Sequence, residues 1–265
     1  LILSNYSSFD SITSIFTVLE SGRTIQIDSL LFFTILSYAI GHLINFTSSI
    51  TIERYANWKY SYPSKYLMNL NPDQKYWTGP IKIIIWKILL VFILLPITVQ
   101  DYFLGEFFNF KEFYTRKADG FIIQMVKDKG LVLMEKLGSP ITKSLRDYDF
   151  HRIFTHYVYE NSKNHQAKLS NYVALYGFLR SLCLITVIFF WFAFLKFLEK
   201  IYIDKSLKVL ESVDLIYLVL IAISSYLFFM AFMKFYRRYS LEGLMLIVID
   251  ENLVDSSKKR KILEE

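Results

Sequence analysis

The chain has 265 residues, 54% of them hydrophobic and 18% aromatic, with a formal net charge of +6. Its apolar residues fall in long runs rather than at the spacing of a half-buried surface, which excludes an ordinary soluble domain and implies an integral membrane protein. Lys and Arg flank those runs, where they anchor helices and meet anionic headgroups. No compact basic stripe carries a recognisable motif, so the lipid bilayer and not nucleic acid is the expected partner. Cys183 is the single cysteine, which excludes an intramolecular disulfide and a cysteine-cluster zinc site.

Residues 1–28 place Phe9, Ile12, Ile15, Phe16 and Leu19 at helical spacing. This predicts an amphipathic segment on the membrane surface. The segment lacks the basic start and unbroken apolar core of a secretory signal. A first span follows from Ser29 to Ile52, with no Asp, Glu, Lys or Arg between Asp28 and the Glu53-Arg54 pair. That run is long enough to cross a bilayer as a helix. Residues 53–80 are polar and aromatic; Trp58, Tyr60, Tyr62, Tyr66, Tyr76 and Trp77 are ring types favoured at headgroup level.

The second span, from about Ile81 to Gln100, is the weakest. Lys82 and Lys87 sit near its start, and Pro96 is predicted to kink or end it. A re-entrant or interfacial segment is the alternative. Residues 101–170 carry charge throughout yet keep helical apolar periodicity, which predicts two or three helices with a turn at Gly138-Ser139-Pro140. The third span runs from about Tyr172 to Phe197. The fourth, Leu215 to Met233, is closed by Lys234, Arg237 and Arg238. The last residues, SSKKRKILEE, predict a frayed or disordered end.

The expected fold is all-α, a multi-pass protein of the cell membrane with four transmembrane helices. Its parts are an amphipathic segment (1–28), a first transmembrane pair (29–100), a helical cytoplasmic region (101–170), a second pair (171–236) and a charged tail (237–265). Four crossings put the 53–80 connection on the face opposite the 101–170 region. Lys and Arg balance across the two faces, so charge does not decide the orientation. The Arg-Arg pair and the basic tail favour cytoplasmic termini.

Four places offer polar chemistry. His42 lies mid-span, and a titratable group at that depth is a candidate for an ion or proton path. The blander reading, which we favour, is a packing hydrogen bond to a neighbouring helix. No carboxylate is expected deep in any span to complete a relay with it. Glu53 and Arg54 form either an interfacial gate or, more simply, the charged end of a helix. Arg180 is either an intramembrane cation or the marker of an interface. Asp149, Arg152, His156 and Glu160 recur at spacings of three and four and so share a helix face. His and carboxylate on one face suit a metal or acid–base work, but the spacing is not H-E-x-x-H, and a salt-bridged solvated face is the favoured reading. No catalytic, cofactor or metal motif is found.

Three pieces, YAIGHLINFTSSITIERY (38–55) with YPSKYL (62–67), NYVALYGFLRSL (171–182) and KFYRRYSLEGL (234–244), resemble a family of bacterial multi-pass membrane proteins with no assigned activity. The resemblance implies a shared role for Gly41-His42, Glu53, Arg180 and Arg237-Arg238, and no reaction. The expected function is a non-enzymatic membrane sensor, scaffold or effector. It would act as a homo-oligomer, including a pore-forming one, or with a protein partner. The alternative is a small transporter or channel using His42 and Arg180.

Overall fold

The computed structural model describes residues 27–70, 76–138, 150–204 and 212–253. The expected amphipathic stretch 1–26, Asp149 and the last twelve residues lie outside them. Every regular element is helical, and no strand occurs among the described residues. The chain divides into two compact units, residues 1–43 and 44–265.

Helix α1, Ile27–Ser48, spans the boundary between the units. From Leu31 to Leu43 it is exposed on all sides, including Phe32, Phe33, Tyr38 and Leu43. A helix that is apolar all round requires lipid or protein around it. A π-helical turn, Ser49–Glu53, leads into α2, Arg54–Tyr60, and α3, Pro63–Leu67. Pro63 opens α3, where its missing N–H has no partner to lose.

Helices α4, Ile81–Ile93, and α5, Leu95–Gln100, are bent by 86° at Leu94. The expected effect of Pro96 is the cause: it cannot donate to the carbonyl of Phe92, and its ring crowds that carbonyl. Carbonyls near the break find other donors. Thr98 Oγ1 donates to Val91 O at 3.2 Å, and Trp191 Nε1 donates to Ile93 O at 2.7 Å. Such replacement lets a broken helix persist in an apolar setting. A second π turn, Asp101–Phe107, continues α5. It is followed by α6, Glu112–Thr115; α7, Gly120–Lys136; and α8, Phe150–Asn161.

Two long helices complete the chain: α9, Gln166–Asp204, and α10, Ser212–Ile249. They pack antiparallel, with Lys200–Asp214 at 2.7 Å near one end and Lys168–Glu242 at 2.6 Å near the other. Both outrun the expected spans. The helix does not end at the Arg237-Arg238 pair but runs on to Ile249, because Leu244, Leu246 and Ile247 are buried in a protein core.

By length and composition three helical stretches are able to cross a membrane: Leu31–Leu67, Lys163–Tyr202 and Asp214–Ile249. The bent pair α4–α5 makes a fourth only if it is one broken span. One expectation fails. The 53–80 and 101–170 stretches were expected on opposite faces, yet Leu67, Met68 and Leu70 share a core with Ala118, Val126, Leu133, Phe150 and Leu244. Ala118 N also donates to Leu67 O at 3.1 Å. Stretches separated by a bilayer cannot share a core.

Candidate functional site

Glu53 and Arg180 come together. Arg180 is buried and every arm of its guanidinium is engaged. Nη1 pairs with Glu53 Oε2, Nη2 donates to Asn45 Oδ1 at 2.7 Å, and Nε donates to Ser48 Oγ at 3.1 Å. Ser48 in turn donates to Asn45 O at 2.8 Å. A planar fork fits this set of fixed acceptors better than an ammonium would. The π turn makes the geometry possible. In a regular helix Glu53 would lie roughly 80° around the axis from Asn45, and one extra residue per turn brings it back to within roughly 20°.

Arg54, expected beside Glu53, points elsewhere: it is exposed and lies 5.4 Å from the centre of the Trp58 ring. Arg237 donates from Nε to Arg116 O at 2.8 Å, and Arg238 lies over Phe235. These are packing roles at the edge of the core. His42 is exposed in the first unit, edge-on to Tyr38 at 4.3 Å. Lys87 is buried; it donates to Tyr76 O at 2.5 Å and Thr78 O at 2.8 Å and sits against the Trp58 ring.

A buried carboxylate lies one residue past the expected end of the second span. Asp101, at the start of the second π turn, is 0% exposed. It accepts from Tyr60 at 2.6 Å, Tyr114 at 2.9 Å and Tyr55 at 3.0 Å, and pairs with Lys59 at 2.8 Å. Four donors fill the four lone-pair sites of a carboxylate. Lys59 also reaches the exposed Glu106 at 3.1 Å. Burial and the Asp101 charge push the Tyr114 hydroxyl well above its ordinary range, so it stays a neutral donor. Gly105 leaves the room: a Cβ there would meet Asp101 Oδ1 at 2.6 Å.

An aromatic ladder on α10 links these clusters. Tyr226, Phe229, Phe232 and Tyr236 follow at spacings of three and four, and consecutive ring centres lie 5.6–6.4 Å apart. Tyr226 meets Tyr114 at 3.5 Å, and Tyr236 meets Glu53 at 3.5 Å.

Next to the ladder lies a cavity of about 610 Å³ between α3 and α8, closed on one side by Tyr239. Lys65, His151, Arg152 and His156 line it, with Ser64 and Thr155 between them. None of its described lining residues is a carboxylate. A second hollow, of about 430 Å³, shares Tyr62 and Lys65 with it and reaches Glu53 and Arg54. Of the expected helix-face stripe, Arg152 and His156 line the cavity, while Glu160 is exposed and does not. Among the described residues no three His, Cys, Asp or Glu side chains gather as metal ligands would.

The sequence singles out His151 only as the neighbour of Arg152, in the run Asp149-Phe150-His151-Arg152, and gives Lys65 and Asp101 no role. Asp101 carried a signal: it is the one charge between Lys87 and Glu106, in the run ILLPITVQDYFLGEF, with Gly105 four residues on. In comparisons with known proteins, the chain matches no family model, no curated protein and no solved structure.

Proposed function

We propose that this chain is a non-enzymatic sensor or effector of the cell membrane, with its input site outside the bilayer and its output in the α9–α10 pair. The observation that carries this is α10 itself. One unbroken helix holds lipid-type surface at Leu215, Ile216, Val219 and Leu220, then the ladder, then a wall of the cavity. The buried Arg180 and Asp101 groups are saturated by protein partners rather than lining an open path. Arg180 is committed to Glu53, Asn45 and Ser48, which speaks against its serving as a transport site.

Within the same proposal the chain crosses the membrane three times, and α4–α5 is re-entrant. Both flanks of the bent pair meet: Tyr66 donates to Tyr114 O at 3.1 Å, and Lys59 pairs with Asp101. The all-round apolar surface of α1 is offered to lipid, to a second copy or to a protein partner. Membership of the bacterial family that the three motifs resemble belongs to this proposal too.

The test is single-cysteine labelling in a Cys183→Ser background, with flux measured in parallel. Asn69→Cys and Glu112→Cys are expected to react from one side and Tyr202→Cys from the other; all three native positions are exposed. Labelling of positions 69 and 112 from opposite sides would restore the four-span arrangement. Proteoliposomes are expected to hold a potassium gradient. A steady leak that disappears in Arg180→Gln or His42→Ala would overturn the sensor reading in favour of conduction.

A further inference from the structure

We infer that the cavity between α3 and α8 binds a phosphate-bearing anion of small-molecule size. As the input site of the proposed sensor it rests on that reading; as a binding site it stands on its own lining. Its volume of about 610 Å³ lies within the usual range for small-molecule sites. Lys65 and Arg152 supply fixed positive charge, and the imidazoles of His151 and His156 and the hydroxyl of Ser64 supply further polar contacts. A lone carboxylate is satisfied by one guanidinium fork. Lys65 and the Arg152 guanidinium, whose five donors serve more than one acceptor at a time, suit an anion with more oxygens and more charge. The walls at Tyr62, Phe150 and Tyr239 are rings, which adds apolar surface for the group that the phosphate esterifies.

The shape argues against a nucleic-acid polymer, which is held by an extended basic stripe rather than a hollow. Two sources of phosphate remain, a soluble ester and a lipid headgroup. The neighbouring hollow, which shares Tyr62 and Lys65, sets Arg54 and Trp58 beside Glu53, and its Trp, Tyr and Arg are types found at headgroup level. The chemistry is the same for both sources, and the test separates them.

The full chain is placed in nanodiscs of phosphatidylcholine and titrated with pyrophosphate by calorimetry. Binding is expected, weakened about tenfold by Lys65→Gln and again by Arg152→Gln, since each removes one charge-assisted contact. Lys117→Gln removes the same charge at an exposed position away from the cavity and is expected to change nothing. Nanodiscs containing phosphatidylglycerol identify the source. Loss of pyrophosphate binding there, but not in nanodiscs given the same negative charge by a fatty acid, assigns the site to the headgroup; unchanged binding assigns it to a soluble phosphate. Two results would overturn the inference. One is absence of pyrophosphate binding together with equal phosphatidylglycerol retention by wild type and variants. The other is citrate binding as tightly as pyrophosphate, or Lys117→Gln weakening binding as much as Lys65→Gln. Pyrophosphate binding without any change in hydrogen exchange along α10 would keep the site and overturn only the sensor reading.

Discussion

Replacing Asp101 by Asn tests whether the polar interior of this protein is held by charge or by shape. The side chains are nearly the same size, so packing is preserved. The change removes the charge opposite Lys59 and presents an amide N–H₂ where one carboxylate oxygen accepted. Asp101 is 0% exposed, and its partner Lys59 is 15% exposed in its side chain. Breaking one member of such a pair costs about 3–5 kcal/mol, because the remaining charge stays buried. Against a total stability of ~5–15 kcal/mol that is about a fifth or more. Glu106 bonds the same lysine but is 42% exposed, so Glu106→Gln is expected to cost less than about 1 kcal/mol. Lys59→Met combined with Asp101→Asn removes both charges, and the pair is expected to cost less than the sum of the singles by over ~0.5 kcal/mol. Reversible unfolding by SDS titration in mixed micelles measures wild type, the three single variants and the double variant. A loss below about 1 kcal/mol for Asp101→Asn, or a strictly additive cycle, would refute the reasoning.

Gly105→Ala forces a methyl group to 2.6 Å from Asp101 Oδ1, and the same titration is expected to show a loss of about 1–3 kcal/mol. Arg180→Gln leaves Glu53 unpaired and is expected to cost about 3–5 kcal/mol. Arg180→Lys restores only part of this, since one ammonium cannot reach Glu53, Asn45 and Ser48 together. Arg54→Gln, at an exposed site beside one ring, is expected to stay within about 1 kcal/mol of wild type. Alkaline unfolding follows from tyrosines outside the spans. Burial pushes Tyr76 up to about 12; burial and a hydrogen bond to Asp250 push Tyr157 to about 12; Tyr114 lies higher still. Unfolded tyrosine titrates near pH ~10, so above it the folded state holds more protons and stability falls as pH rises. The stabilisation from Tyr76 and Tyr157 is fully present below pH ~10 and lost through pH ~12, and that from Tyr114 is lost only above it. Midpoints that stay level between pH ~9 and ~11.5 would contradict this.

Helical class and membrane character were legible because they depend on runs of apolar residues, which local sequence displays directly. The 86° bend was legible too, since Pro96 acts on its own helix. The ionic partners were not. Glu53 reads as the neighbour of Arg54, and only a π turn rotates it toward Asn45 and Arg180. No local pattern announces that turn. Asp101 reads as the first residue of a polar region because sequence shows where charge begins, not where donors from residues 55, 59, 60 and 114 converge. The cavity fails for the same reason. Lys65 and Arg152 are far apart in the chain, and α8 taken alone shows the polar face of an ordinary amphipathic helix.

The length of α10 gives these clusters a common meaning. Its 38 residues extend about 57 Å, against a hydrocarbon core of about 30 Å, so a crossing would take up only about half of it. Exposed apolar residues mark the half near Leu215, and the buried Leu244 and Ile247 mark the half inside the protein core. Between them Tyr226 meets the Asp101 group and Tyr236 meets Glu53, while Tyr239 walls the cavity. No proline or glycine interrupts α10 between Tyr226 and Tyr239, so the helix has no hinge there to absorb a displacement. A ligand that draws α3 and α8 together therefore acts on a continuous rod. In the proposed sensor its effect reaches the exposed apolar half through rotation or translation of α10 against α9, opposed by the Lys168–Glu242 and Lys200–Asp214 pairs at the two ends.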